Sequence, residues 1–120
     1  MNHRYLGFTF PGSGKQLTPM LCNGVRTFEI DQLPTMRFNH GDAYMTAGLS
    51  GLGIISVPLA QANPHFQSGQ LVHVLADWTL DAMPISLVYP YSRHLSARVR
   101  IFADWAAALM ANDPHWAKNA

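Results

Sequence analysis

The chain has 120 residues, of which 48% are apolar and 12% charged, and its formal net charge is +1. That length holds one domain, and so small a positive charge excludes a broad basic field that binds nucleic acid by counterion release. Cys22 is the single cysteine, which excludes an intrachain disulfide.

Met1–Phe10 has no apolar core of signal-peptide length and already carries Arg4, so a cytoplasmic location is expected. Tyr5–Phe10 alternates and is rich in aromatics, the pattern of a strand. Pro11-Gly12-Ser13-Gly14-Lys15 must be a loop. It is not a nucleotide phosphate loop, because that motif needs glycine where Thr9 stands and serine or threonine where Gln16 stands. Such a loop can still present N–H groups and a hydroxyl to a ligand. Leu17–Cys22 and Val25–Ile30 flank Asn23-Gly24, a dipeptide that accepts the positive φ of a hairpin turn. Leu33-Pro34 leads into a short extended run, Thr35–Asn39.

Asp42–Ser50 has helical spacing, with Met45, Leu49 and Leu52 at i, i+4 and i+7. Asn39 is the expected N-cap, and Asp42 favours the positive end of the helix dipole. Gly51-Leu52-Gly53 ends the helix. Ile54–Val57 then reads as a buried strand closed by Pro58. Strand, helix and strand in one short stretch make a βαβ unit and imply a parallel sheet. Ligands of such sheets bind at the carboxyl ends of strands, which points to a small-molecule site around Asn39, His40 and Gly41. An ordinary cap with a solvent-facing histidine is the plainer alternative.

A helix follows over Leu59–Phe66, with Pro64 badly placed inside it. Ser68-Gly69 is a turn, and Leu71–Leu75 is a strand in which His73 sits as a hydrogen-bonded sheet residue. Asp77–Met83 is a linker, and the best boundary lies at Trp78–Met83. Pro84–Tyr89 is a further strand and Tyr91–Leu95 a turn. Ser96 caps a last helix running to about Ala111, with an apolar stripe of Val99, Phe102, Ala106, Leu109 and Met110. Asn112–Ala120 is a polar, loose tail. Residues 43–64 carry no charge, but Gly48, Gly51, Gly53, Pro58, Gln61 and Asn63 interrupt them. A membrane span, which needs about 20 predominantly apolar residues, is therefore not expected.

The chemistry-bearing residues are sparse. The six histidines, His3, His40, His65, His73, His94 and His115, include no i, i+4 pair on an expected helix, so no metal site is expected. Cys22 and His40 could be imagined as a nucleophile pair, but nothing places them together, and no catalytic residues are assigned. Arg93, His94, Arg98 and Arg100 form a short basic cluster at the start of the last helix.

Four separated motifs carry a resemblance. They are His3–Thr9 leading into a polar loop; Asn39-His40-Gly41-Asp42-Ala43 with Ala47–Ile54 and Val57-Pro58; Ser68–Leu75 with Trp78; and Val88-Tyr89-Pro90 with Arg93–Ser96, Val99-Arg100, Phe102 and Asp104-Trp105. In this order and spacing, from about His3 to Met110, the chain resembles the effector-binding region of LysR-type transcriptional regulators. The resemblance implies an α/β fold like type 2 periplasmic binding proteins. Residues 3–78 would form the second lobe of the effector-binding domain, and 79–120 the strand and helix returning to the first lobe, with a tail. It also implies a cleft lined on this side by Thr9, Gly12, Ser13, Gly14, Asn39, His40 and Gly41, where hydroxyls and N–H groups would hold a small polar or anionic effector, with no cofactor. The winged helix-turn-helix and most of the first lobe have no counterpart in the 120 residues. DNA contact would come only through a domain absent from the chain, which would be an excised fragment or a truncated reading frame. The stripe Val99, Phe102, Ala106, Leu109 and Met110 would then form a homo-oligomer interface. A stand-alone solute-binding module of the same fold is the alternative.

Overall fold

Strand β1, Leu6–Phe8, is the spine of the molecule. Strand β4, Met36–Phe38, pairs with it in parallel, in the register Leu6 with Met36, Gly7 with Arg37 and Phe8 with Phe38. On its other side Tyr5 makes a parallel bridge to Ile54, fixed by Leu6 N–H to the Ile54 carbonyl at 3.0 Å and Ile54 N–H to the Arg4 carbonyl at 2.9 Å. The computed structural model describes residues 3–81, 85–91 and 93–113. It comprises two compact units, Met1–Asp81 and Ala82–Ala120.

Helix α1, Gly41–Leu49, connects β4 to Ile54, so the expected βαβ unit straddles β1. The expected strand Ile54–Val57 is reduced to that one bridge, with Ile54 exposed and Ile55, Ser56 and Val57 half-buried. The helix begins at Gly41, one residue before the expected Asp42, and its N-cap is His40 rather than Asn39, in extended geometry and with no side-chain cap bond. Its buried face is Tyr44, Ala47 and Gly48 rather than Met45, Leu49 and Leu52. Two contacts explain the rotation. Tyr44 packs with Leu6 and Ala47 as the core, closed by Phe8, Phe38, Ile55 and Val57. Gly48 lets Ile55 approach so closely that a Cβ there would collide with it.

Strands β2, Met20–Cys22, and β3, Thr27–Glu29, form the expected hairpin. Its turn is wider than a two-residue loop, since Cys22 pairs with Thr27. Asn23 Oδ1 closes it by accepting from Val25 N–H at 3.0 Å and Arg26 N–H at 2.7 Å, with Gly24 at φ 86°. Strand β5, Thr79–Leu80, lies within the expected linker and adds to the other edge of β2, giving the order β3-β2-β5.

Helix α2, Leu59–Gln67, runs through Pro64 and is not shortened by it. The expected strand Leu71–Leu75 does not form. Leu71 N–H donates to the His65 carbonyl, His73 stacks on Phe66 with ring centroids 5.4 Å apart, and Leu75 takes φ 55° to make a turn to Trp78. His73 is thus an exposed stacking residue, not a sheet residue.

Of the expected strand Pro84–Tyr89, Pro84 lies outside the described residues, and residues 85–89 join no ladder. Helix α3, Ala97–Asn112, begins as expected at Ser96, whose Oγ accepts from Val99 N–H at 3.3 Å. Asn112 belongs to this helix rather than to a tail, and beyond Asp113 the tail lies outside the described residues. Among the described residues no helix is long and apolar enough to cross a membrane, and no group of three or more metal-ligating side chains occurs.

Candidate functional site

The chain leaves the parallel pair β1–β4 at adjacent points. Thr9 N–H donates to the Phe38 carbonyl at 2.7 Å, so Thr9 and Asn39 begin their loops side by side. This is the carboxyl end of the strands, where an α/β sheet offers its ligand ledge. Two pieces of backbone furnish it: the loop after β1 and the first turn of α1.

The loop is a tight fold-back. Phe10 N–H donates to the Lys15 carbonyl at 2.8 Å, Gly14 N–H to the Phe10 carbonyl at 3.1 Å, and Thr9 bridges Gln16 antiparallel. Gly12 and Gly14 take φ 83° and 68°, left-handed values that make glycine the fitting residue at both. The Gly14 N–H is therefore spent within the loop. Ser13 stands at its exposed tip, and its Oγ accepts weakly from Lys15 N–H at 3.3 Å.

The first turn of α1 is differently placed. Gly41, Asp42 and Ala43 are its first three residues, whose N–H groups have no partner inside a helix. His40 supplies no side-chain cap, so its side chain satisfies none of these donors. Asp42 in the same turn lowers the attraction of the helix end for anions. Thr9, Gly12, Ser13, Gly14, Asn39, His40 and Gly41 thus all lie on two segments that leave neighbouring strand ends, forming an open ledge of partly or fully exposed residues.

Below the ledge, Tyr44 ties three segments together. Its hydroxyl donates to the Leu6 carbonyl at 3.0 Å and accepts from Ser56 N–H at 2.9 Å, and burial pushes its pKa up to about 12. Burial also raises the pKa of Tyr5, with the Ser56 side chain pulling the other way. That side chain does not reach hydrogen-bonding geometry, and the Tyr5 hydroxyl is buried without a partner.

Sequence reasoning passed over Arg37. With the Gln16 amide turned so that its oxygen faces the guanidinium, Gln16 Oε1 accepts from Arg37 Nη1 at 2.9 Å and Nη2 at 3.3 Å. The two are far apart in sequence, and only the β1–β4 pairing and the Thr9–Gln16 bridge bring them together.

The stripe residues Val99, Phe102, Ala106, Leu109 and Met110 all lie on α3, which buries none of its residues. Ala106 and Met110 are half-buried, while Val99, Phe102 and Leu109 are exposed. A second apolar face runs beside the stripe, where Ile101, Phe102 and Trp105, with the stem of Arg98, line a recess of about 400 Å³.

Comparison with known proteins places residues 2–111 in a match to the LysR substrate binding domain. An uncharacterised HTH-type transcriptional regulator of Escherichia coli K12, YhjC, is 40% identical over 88 residues, 73% of this chain and 29% of that protein. An HTH-type transcriptional repressor of Pseudomonas aeruginosa is 36% identical over 106 residues, 85% of this chain and 33% of that protein. The regulator CrgA of Neisseria meningitidis is 28% identical over 112 residues, 92% of this chain and 36% of that protein. The chain therefore spans about a third of the length of the curated relatives it matches.

Proposed function

Because the chain belongs to the LysR substrate-binding domain family, we propose that it is the effector-sensing and oligomerising part of a cytoplasmic transcriptional regulator, without catalysis of its own. Its first unit is the second lobe of the effector domain, and the segment from about residue 79 returns toward the first lobe. DNA is contacted through parts of the regulator outside the matched stretch.

The observation that carries this reading is the juxtaposition of the loop after β1 and the start of α1 at neighbouring parallel strand ends. The ledge combines the Thr9 and Ser13 hydroxyls with the Gly41 first-turn N–H donors, a set that suits a small polar or anionic molecule. The ledge is one-sided, so binding to the isolated chain is weak.

Amide-shift mapping tests the site. Titration with small carboxylates perturbs Thr9–Gly14 and Asn39–Gly41. Perturbation confined to the Arg93–Arg100 segment, or none anywhere, defeats the assignment.

A further inference from the structure

We propose that Arg37, oriented by Gln16, is the cation that recognises a carboxylate on the effector. This inference rests on the effector reading of the ledge and adds to it a charge requirement and the residue that meets it.

The helix start cannot meet that requirement alone. Its N-terminal dipole is worth about half an elementary charge, and Asp42 in the first turn opposes an incoming anion. A nearby full positive charge would strengthen the hold of the ledge on a carboxylate. Arg37 lies on β4, paired with Gly7 of β1, one residue before the Phe38 carbonyl that holds Thr9. No carboxylate neutralises it among the described residues: its polar partner there is the Gln16 amide oxygen. Gln16 in turn is bridged to Thr9, so the tether starts beside the loop half of the ledge, on the sheet face opposite Phe8 and Phe38, which pack against Tyr44.

The tether also leaves the guanidinium suited to the task. Both Nη atoms direct a hydrogen to one oxygen of Gln16, and a guanidinium carries five N–H donors in one plane. The remaining donors keep a fixed plane that matches the two oxygens of a carboxylate. A Cβ on Gly7 would collide with Pro34 at 2.9 Å and only touch Arg37 Cγ at 3.5 Å, so glycine makes room for Pro34 beside the base of the Arg37 side chain.

The test uses the whole chain and two matched probes, 3-phenylpropionate and its uncharged amide. Amide shifts of Thr9, Gln16 and Asn39–Gly41 are followed by NMR. The expected result is saturable shifts with the carboxylate, at least severalfold weaker binding of the neutral amide, and about tenfold weaker carboxylate binding in Arg37→Met, the size of a lost charge-assisted contact. Lys15→Gln, which removes the nearest loop cation, leaves the affinity unchanged. Gln16→Leu keeps the charge but cuts its tether, and its expected loss is about threefold, a value that stands even if Arg37→Met fails to fold. Shifts at the ledge that persist in Arg37→Met, that survive intact in Gln16→Leu, or that vanish in Lys15→Gln overturn the role of Arg37 while leaving the ledge as the effector site. Equal affinity for the two probes does the same. No ledge shift with either probe overturns both.

Discussion

The Tyr44 hydroxyl lies 3.0 Å from the Leu6 carbonyl oxygen, so a side chain of α1 closes a hydrogen bond on the backbone of the central strand. The Tyr44 hydroxyl oxygen in turn accepts from Ser56 N–H, which ties down the segment after Ile54 that has no continuous ladder of its own. One buried phenol thus supplies two hydrogen bonds beside the place where the third strand of the sheet is reduced to a single bridge.

The two buried tyrosines should respond oppositely to loss of the hydroxyl. Tyr44→Phe leaves the Ser56 N–H without its acceptor, and the expected cost is about 1–3 kcal/mol. Tyr5→Phe removes a buried hydroxyl that has no partner, so it is neutral or slightly stabilising. Thermal or urea unfolding of the two variants beside the parent chain measures the contrast. A Tyr5→Phe loss as large as that of Tyr44→Phe contradicts the hydrogen-bond assignment.

Alkaline unfolding follows from the same residue. Burial holds the folded-state pKa of Tyr44 at about 12, above the ordinary 10.0. Above pH 10 the unfolded chain gives up this proton before the folded chain does, so stability is complete below pH 10 and falls as pH rises toward 12. Tyr5 is shifted in the same direction and adds to the fall. Tyr44→Phe is expected to flatten the decline over that window, read from urea midpoints at successive pH values. An equally steep decline in the variant rules out Tyr44 as its source.

The glycines at the two ends of the α1 connection differ in what they touch. A Cβ on Gly53 would stand 2.7 Å from the Arg4 carbonyl oxygen, a backbone atom held by the bond from Ile54 N–H. Gly53→Ala must shift a strand, at an expected cost of about 1–3 kcal/mol. A Cβ on Gly48 meets only side-chain atoms of Ile55, its Cδ1, Cγ1 and Cγ2, which give way more readily than backbone, and alanine gains about 1 kcal/mol of helix propensity over glycine. Gly48→Ala is therefore expected to be the milder of the two in denaturant melts. The reverse order would mean that Ile55 is locked.

How legible the molecule was in its sequence depended on how far each feature reached. The Asn23-Gly24 turn and the Ser96 cap rest on neighbours in sequence, and both are present, whereas of the expected strand–helix–strand order the strand and helix form and the second strand is a single bridge at Ile54. The face of α1 was misread because Tyr44 is placed by Leu6 and Ser56, partners remote in sequence. Leu71–Leu75 has strand composition, but its residues are taken by α2 through His65 and Phe66. Thr79–Leu80 looked like a linker because its two residues gain order only from β2. For the candidate site, the segments Thr9–Gly14 and Asn39–Gly41 were legible as a loop and a helix start. Arg37 was not, because nothing local marks it and its partner Gln16 comes near only through strand pairing.

The last prediction concerns α3. Ser96 fixes its start, and Phe102 and Trp105 hold each other with ring centroids 5.7 Å apart, so the helix is well formed although none of its residues is buried. Ile101 is 68% exposed, Phe102 55%, Trp105 57% and Leu109 53%. Burying a large apolar side chain contributes roughly 1.5–3 kcal/mol, and apolar patches of this kind on folded proteins mark contact surfaces. Asp104 is the only acidic side chain between Ala97 and Asn112, so an acidic substitution should disrupt packing more than it alters an existing charge pattern. We expect the chain to self-associate through α3, with Phe102 at the centre of the contact. Light scattering should then report an assembly that grows between micromolar and hundred-micromolar concentration. Phe102→Asp should return it to a monomer with its helix content intact by circular dichroism. A parent chain that stays monomeric over the whole range, or a Phe102→Asp variant of unchanged mass, refutes the assignment.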